Sequence, residues 1–138
     1  MIRFIRRLTA LRAGCALALL ALLAPLALPV AQAAAPAGSR AEATAFVQDL
    51  AAGRFAQAEA HFNASMRQHA TPAKLKDLWQ FIEKQFGPYT KTDGGDTMSY
   101  KGQPMVIVHT MFKRQTIGLA VFFDHNNQIA GFRVVPLQ

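Results

Sequence analysis

Of the four histidines in this 138-residue chain, His61, His69, His109 and His125, only His109 stands in the middle of an apolar run. If that run is a strand, its cross-strand neighbours are Ala120 and then Arg133. A histidine near an arginine on one sheet face can take up a carboxylate or a phosphate. The plainer reading, which we favour, is an edge or interface histidine with one satisfied hydrogen bond. His61, His69 and His125 fall in or beside short helical segments or at a turn, and are read as solvated. None of the four forms His-x-His or His-Glu-x-x-His, so no metal site is expected, and no cofactor motif is present. Ser39, Ser65 and Ser99 all lie outside any Gly-x-Ser-x-Gly elbow. The acids Glu42, Asp49, Glu59, Asp77, Glu83, Asp93, Asp96 and Asp124 map to polar helix faces, turns or caps. A general base with a raised pKa needs burial, and none of these positions promises it. Trp79 and Tyr89 have amphipathic rings suited to a ligand pocket, with Thr110 as a third lining candidate. Trp79 reads first, however, as the core anchor of its helix.

Where this chemistry would operate is written in the first 33 residues. Arg3, Arg6, Arg7 and Arg12 form a positive n-region, Ala13 to Val30 is unbroken and apolar, and Ala31-Gln32-Ala33 is a small-x-small cleavage pattern. We therefore expect residues 1–33 to be a cleaved signal peptide of bacterial type, and the mature protein to be periplasmic or secreted. The 18-residue apolar stretch also meets the lower limit of a spanning helix. Pro25 and Pro29 followed by the cleavage pattern favour removal, so no stable membrane anchor is expected. Cys15 precedes the apolar run instead of ending it, which argues against lipidation and leaves no cysteine for disulfide or thiolate chemistry.

Cutting the signal also changes the charge. The chain has 15 Lys+Arg and 8 Asp+Glu, and the n-region holds four of the former, leaving a mature net charge of +3. That is too mild and too scattered to predict nucleic-acid binding.

A linker over 34–40 leads into a single domain over 41–138, long enough to bury a real core. Ser39-Arg40-Ala41-Glu42 matches a capping box, after which Phe46, Val47 and Leu50 share one helix face up to Gly53. A short second helix over Arg54 to Phe62 carries Phe55, Ala58 and Phe62. Asn63-Ala64-Ser65 is read as a turn. Thr71 and Pro72 start a third helix whose Leu75, Leu78, Trp79, Ile82 and Phe86 form one stripe, stopped by Gly87-Pro88. The period then changes to two. Asp93 to Asp96 and Lys101 to Pro104 read as turns, and Pro104–Lys113, Thr116–His125 and Gln128–Pro136 as strands. Such short connections demand antiparallel pairing. Helices first and strands afterwards predict an α+β domain, its N-terminal helices packed on a curved antiparallel sheet of about four strands.

Register follows from turn length. A two-residue loop at Arg114-Gln115 pairs Phe112 with Ile117 and Val108 with Val121. A second at Asn126-Asn127 pairs Phe132 with Val121 and Val134 with Leu119. One face then carries Val106, Val108, Thr110, Phe112, Ile117, Leu119, Val121, Phe123, Phe132 and Val134 and faces the helices. The other carries Ile107, His109, Met111, Gly118, Ala120, Phe122, Gly131 and Arg133, and is less polar than a sheet face in water should be.

Trp79, Gly87-Pro88-Tyr89, Val106-x-Val108-x-x-x-Phe112, Leu119-x-Val121-x-Phe123-Asp124 and Ile129-x-Gly131 closing at Pro136 together resemble the domain-of-unknown-function family 3887, over about Ala41 to Pro136. That family resembles a branch of the nuclear-transport-factor-2-like superfamily, with its cystatin-like α+β cone. The resemblance implies a bent sheet wrapped around helices, a cavity at the wide end and dimerisation through the outer sheet face. It brings no catalytic residue set. Three functions are open on these grounds. The first is a non-enzymatic binding or interaction module, dimeric through the His109, Phe122 and Arg133 face, holding a small apolar molecule or a partner protein. The second is a small cone-fold isomerase, dehydratase or hydrolase with Tyr89 and His109 as its acid–base pair. The third is a periplasmic toxin-neutralising protein.

Overall fold

A computed structural model describes residues 38–137, so the expected signal peptide, its expected cleavage site and most of the expected linker lie outside the described residues. Four helices come first: α1 (Ser39–Ala51), α2 (Phe55–Ala60), α3 (Ala64–His69) and α4 (Pro72–Phe86). Four strands follow: β1 (Tyr89–Tyr100), β2 (Gln103–Phe112), β3 (Thr116–Phe123) and β4 (Ile129–Pro136). They form one antiparallel sheet in the order β1-β2-β3-β4. The α+β architecture expected from the change of period is what the chain adopts, and it is compatible with a cone.

Helix α4 forms for the reasons its sequence gives. Thr71 accepts from the Lys74 N–H, Pro72 occupies the first turn, and Gly87 at φ 89° ends the helix in a conformation that favours glycine. Leu75, Trp79 and Ile82 bury the stripe. The start of α1 differs from the capping-box expectation. Gly38 is the N-cap and contributes no side-chain cap, while Ser39 lies inside the helix, fully buried. The Ser39 hydroxyl donates to Asn127 Oδ1 at 2.5 Å, and the Glu42 carboxylate turns to His61 instead of the helix N-terminus. Both side chains thus have a tertiary partner that a local motif cannot reveal.

Asn63 was read as part of a turn, and it starts helix α3: its side chain accepts from the Met66 N–H. The chain around it is pinned to the start of β4, with Asn63 N–H donating to the Ile129 carbonyl and Ile129 N–H to the His61 carbonyl. This brings α3 beside the edge strand.

β1 was the strand hidden from the sequence. Asp93-Gly94-Gly95-Asp96 is a bulge inside it, not a turn: register shifts between Thr92 and Gly95, and Gly94 has φ 71°. A Cβ at Gly95 would lie 2.8 Å from the Ile107 carbonyl oxygen, so the two backbones approach only because no side chain is there. Lys101 and Gly102, both at positive φ, close a two-residue hairpin to β2.

The β2–β3 register is corrected by two residues. Thr110 pairs with Ile117, Val108 with Leu119 and Val106 with Val121, and His109 faces Gly118. Phe112 to Arg114 are not free to extend this hairpin: Lys113 N–H donates to the Pro88 carbonyl and Arg114 N–H to that of Phe86. Phe112 itself packs among Trp79, Phe86 and Tyr89, with centroids 5.6–6.2 Å apart. Because the slip is an even number, every side chain keeps its face. The β3–β4 pairs Val121–Phe132 and Leu119–Val134 are as expected, although a bulge at Phe122/Phe123 and a longer loop around Asp124 replace the two-residue turn.

The core lies between the helices and one sheet face. Phe46, Val47, Leu50, Phe62, Leu75, Trp79 and Ile82 meet Val106, Val108, Ile117, Leu119, Val121, Phe123 and Ile129. Phe46, Phe62 and Phe132 form an aromatic cluster with centroids 5.1–6.0 Å apart. Among the described residues no helix is long and apolar enough to cross a membrane.

Candidate functional site

Of the expected lining trio, Trp79 and Tyr89 pack on each other and Thr110 lies nearby, paired with Thr92. Trp79 is 4 % exposed and packs on Tyr89 and Phe112, which makes it the core anchor of α4. Thr110 is fully buried, its hydroxyl donating to the Val108 carbonyl at 3.3 Å. Tyr89 is half-buried on the helix side of the sheet, its phenol 2.9 Å from the Thr92 hydroxyl. It lines a shallow depression with Gln48, Ala51, Ala52 and Arg54.

The second group lies on the outer sheet face. His109 Nε2 is 2.9 Å from Asp96 Oδ2, a partner from the Asp93–Asp96 segment that forms the β1 bulge in place of the expected turn. Arg133 does not flank it: Arg133 pairs with Ala120 as expected, but the β2–β3 slip sets His109 opposite Gly118, whose own β4 partner is Val135. The Arg133 guanidinium instead sits 5.4 Å from the ring centroids of both Tyr100 and Phe122. Gly118 lets Ile107, Val135 and Leu137 close over the sheet, since a Cβ there would meet all three within 3.0 Å. Tyr89 and His109 are therefore on opposite faces.

A larger apolar pocket among the described residues lies elsewhere. It encloses about 390 Å³ beside edge strand β4. Helix α3 contributes Met66 and His69, the next residue Ala70 adds to the floor, and α4 contributes Lys74, Leu75 and Leu78. Phe132 and Val134 of β4 complete the wall, with Arg133 between them in the chain. Its size falls in the range of small-molecule sites, roughly 300–1,000 Å³. The sequence conceals it because Leu75 and Leu78 belong to the same stripe as Trp79, and because the turn pattern of Asn63-Ala64-Ser65 masks the start of α3. Val134 marks it only in the structure, where this core-face residue of edge strand β4 is 39 % exposed.

A charged cluster ties α1 to α2. His61 Nδ1 is 2.5 Å from Glu42 Oε1 and Nε2 is 3.0 Å from Asp49 Oδ2, while Arg54 Nη2 is 2.6 Å from Asp49 Oδ1. His61 and Asp49 were expected at the surface, yet their side chains are only 18 % and 14 % exposed. The reversal of direction after α1 folds the second segment back onto it. Burial alone would lower the His61 pKa, but its bonds to Glu42 and Asp49 outweigh this and raise it. Burial would raise Asp49, and the His61 and Arg54 bonds instead lower it. A carboxylate held ionised in this way is the opposite of a raised-pKa base. Asp124 is likewise lowered, burial being outweighed by donation from Gln128, Asn63 and Asn126. His69 and His125 are exposed as expected. Among the described residues no group of three or more His, Cys, Asp or Glu side chains is placed to hold a metal ion.

These observations define an α+β domain with one face of its sheet under helices and an apolar pocket at the sheet edge. A family model described as "Protein of unknown function (DUF3887)" matches residues 43–132, and the chain belongs to that family. No curated protein and no solved structure matches it.

Proposed function

We propose that the mature protein is an exported, non-enzymatic binding module that holds a small apolar molecule between α3, α4 and β4. The observation that carries this reading is the 390 Å³ pocket with Met66, Ala70, Leu75, Leu78, Phe132 and Val134 in its walls. Export rests on the signal pattern of residues 1–33. The helix-then-sheet order agrees with a nuclear-transport-factor-2-like cone. Dimerisation through the outer face is part of the same proposal, motivated by Met98 and Tyr100, which are 41 % and 40 % exposed, Tyr100 lying beside Phe122 and Arg133.

The position of Tyr89 and His109 on opposite faces weighs against an acid–base pair built from them. Toxin neutralisation has only compartment and size in its favour. Native mass spectrometry of the protein purified from periplasmic extract tests the main reading. A defined small-molecule adduct that disappears in Val134→Trp supports it. A bare species, with no apolar probe taken up by the purified protein, ends it.

A further inference from the structure

The proposed pocket is apolar inside but one-signed at its rim. Three of its lining residues, His69, Lys74 and Arg133, are basic or titratable bases, and none is an acid. Their heads are not equivalent. The Arg133 guanidinium is committed to the Tyr100 and Phe122 rings on the other side of the sheet. Lys74 is held at the pocket: its ammonium donates to the His69 carbonyl at 3.1 Å, across the junction between α3 and α4. An ammonium has three donors, so two remain to be satisfied by solvent or by a ligand. Lys74 also belongs to the first turn of the 15-residue α4, whose positive end adds a field of the same sign.

We infer that the ligand class is an apolar acid: an aliphatic chain or ring lying against Leu75, Leu78, Phe132 and Val134, with a single carboxylate meeting the Lys74 ammonium. This rests on the pocket reading above and adds the charge of the ligand's head. A neutral apolar molecule would gain nothing from the ammonium, and a cationic amphiphile would face it with like charge.

The test is isothermal titration calorimetry of the mature protein with three probes sharing one tail: decanoate, 1-decanol and decyltrimethylammonium. Decanoate should bind at least about tenfold more tightly than 1-decanol, and the cation should be weakest. Lys74→Met keeps the stem and removes the charge. It should bring decanoate down to the affinity of 1-decanol while leaving 1-decanol unchanged. Val134→Trp, at an exposed strand position that tolerates an aromatic, should abolish uptake of every probe. If 1-decanol binds as tightly as decanoate, or Lys74→Met leaves the preference intact, the acid class is wrong and the apolar pocket survives. If no probe binds wild type, both readings fail.

Discussion

Replacing His61 by Gln should destabilise the protein in mildly acidic solution and cost little or nothing in alkaline solution. His61 lies between two carboxylates, and its ordinary pKa of 6.5 is raised by them. A group whose folded pKa is raised contributes stability that is complete below about 6.5 and is lost as pH rises through the folded value. Asp49 behaves oppositely: its pKa lies below the ordinary 3.8, so its contribution is complete above 3.8 and lost as pH falls through the folded value. The pair is therefore at full strength between those two limits. A hydrogen bond to a charged group is worth about 1.5–3 kcal/mol, and the Asp49 contact, with both side chains mostly shielded, belongs in that range. The Glu42 contact is discounted to about 0.2–1 kcal/mol because that carboxylate is 38 % exposed. Glutamine can restore one neutral bond of about 1 kcal/mol. The net loss is then about 2 kcal/mol near pH 5.5 and under about 0.5 kcal/mol near pH 9. Trp79 is the sole tryptophan and is buried, so urea unfolding followed by its fluorescence reads the difference directly. A midpoint shift of about 1 M urea is expected at the lower pH. A double-mutant cycle with Asp49→Asn should give a coupling of about 1–2 kcal/mol there and none near pH 9. The same loss at both pH values, within about 0.5 kcal/mol, would refute the imidazolium bridge.

Trp79→Ala should cost about 3–5 kcal/mol, measurable as a collapse of thermal stability, because it empties the space between α4 and Phe112. Asn63→Ala removes the α3 cap and a bond to Asp124, and should lower stability by about 1–2 kcal/mol in the same urea assay. Gly95→Val forces a side chain against the Ile107 carbonyl and should cost about 1–3 kcal/mol, whereas a neutral result would remove the bulge at that position. Phe122→Asp should leave a folded protein by circular dichroism and, on the dimer proposal, shift sedimentation towards monomer. Outright unfolding would mean that the sheet faces are reversed.

Much of the fold was legible because burial imposes a period. The α4 stripe and the alternation in β2, β3 and β4 are each fixed by a few apolar side chains, and an even-numbered register slip leaves their faces intact. What escaped depends on partners distant in sequence. Glu42 looked like half of a capping box until His61, folded back from α2, took its carboxylate. Asp93 to Asp96 carry turn residues, and only pairing with β2 converts them into a bulge. The pocket was hidden because its walls come from three elements, with Leu75 and Leu78 indistinguishable by spacing from the core residues beside them.

The bond from Ser39 to Asn127 spans 88 residues and joins the first turn of the first helix to the last loop of the sheet. A chain synthesised N-terminus first has α1 complete long before its closing partner. Nothing in α1 alone can bury Phe46, whose neighbours are Phe62 and Phe132. Phe62 can meet Phe46 within the helical half, but Phe132 completes the cluster only when the final hairpin forms. Long-range closure of this kind slows folding relative to local contacts. The newly made chain accordingly has an interval in which Phe46 lacks its full set of aromatic neighbours, and its vulnerability to proteolysis or to a chaperone's grip lasts until the β4 residues arrive.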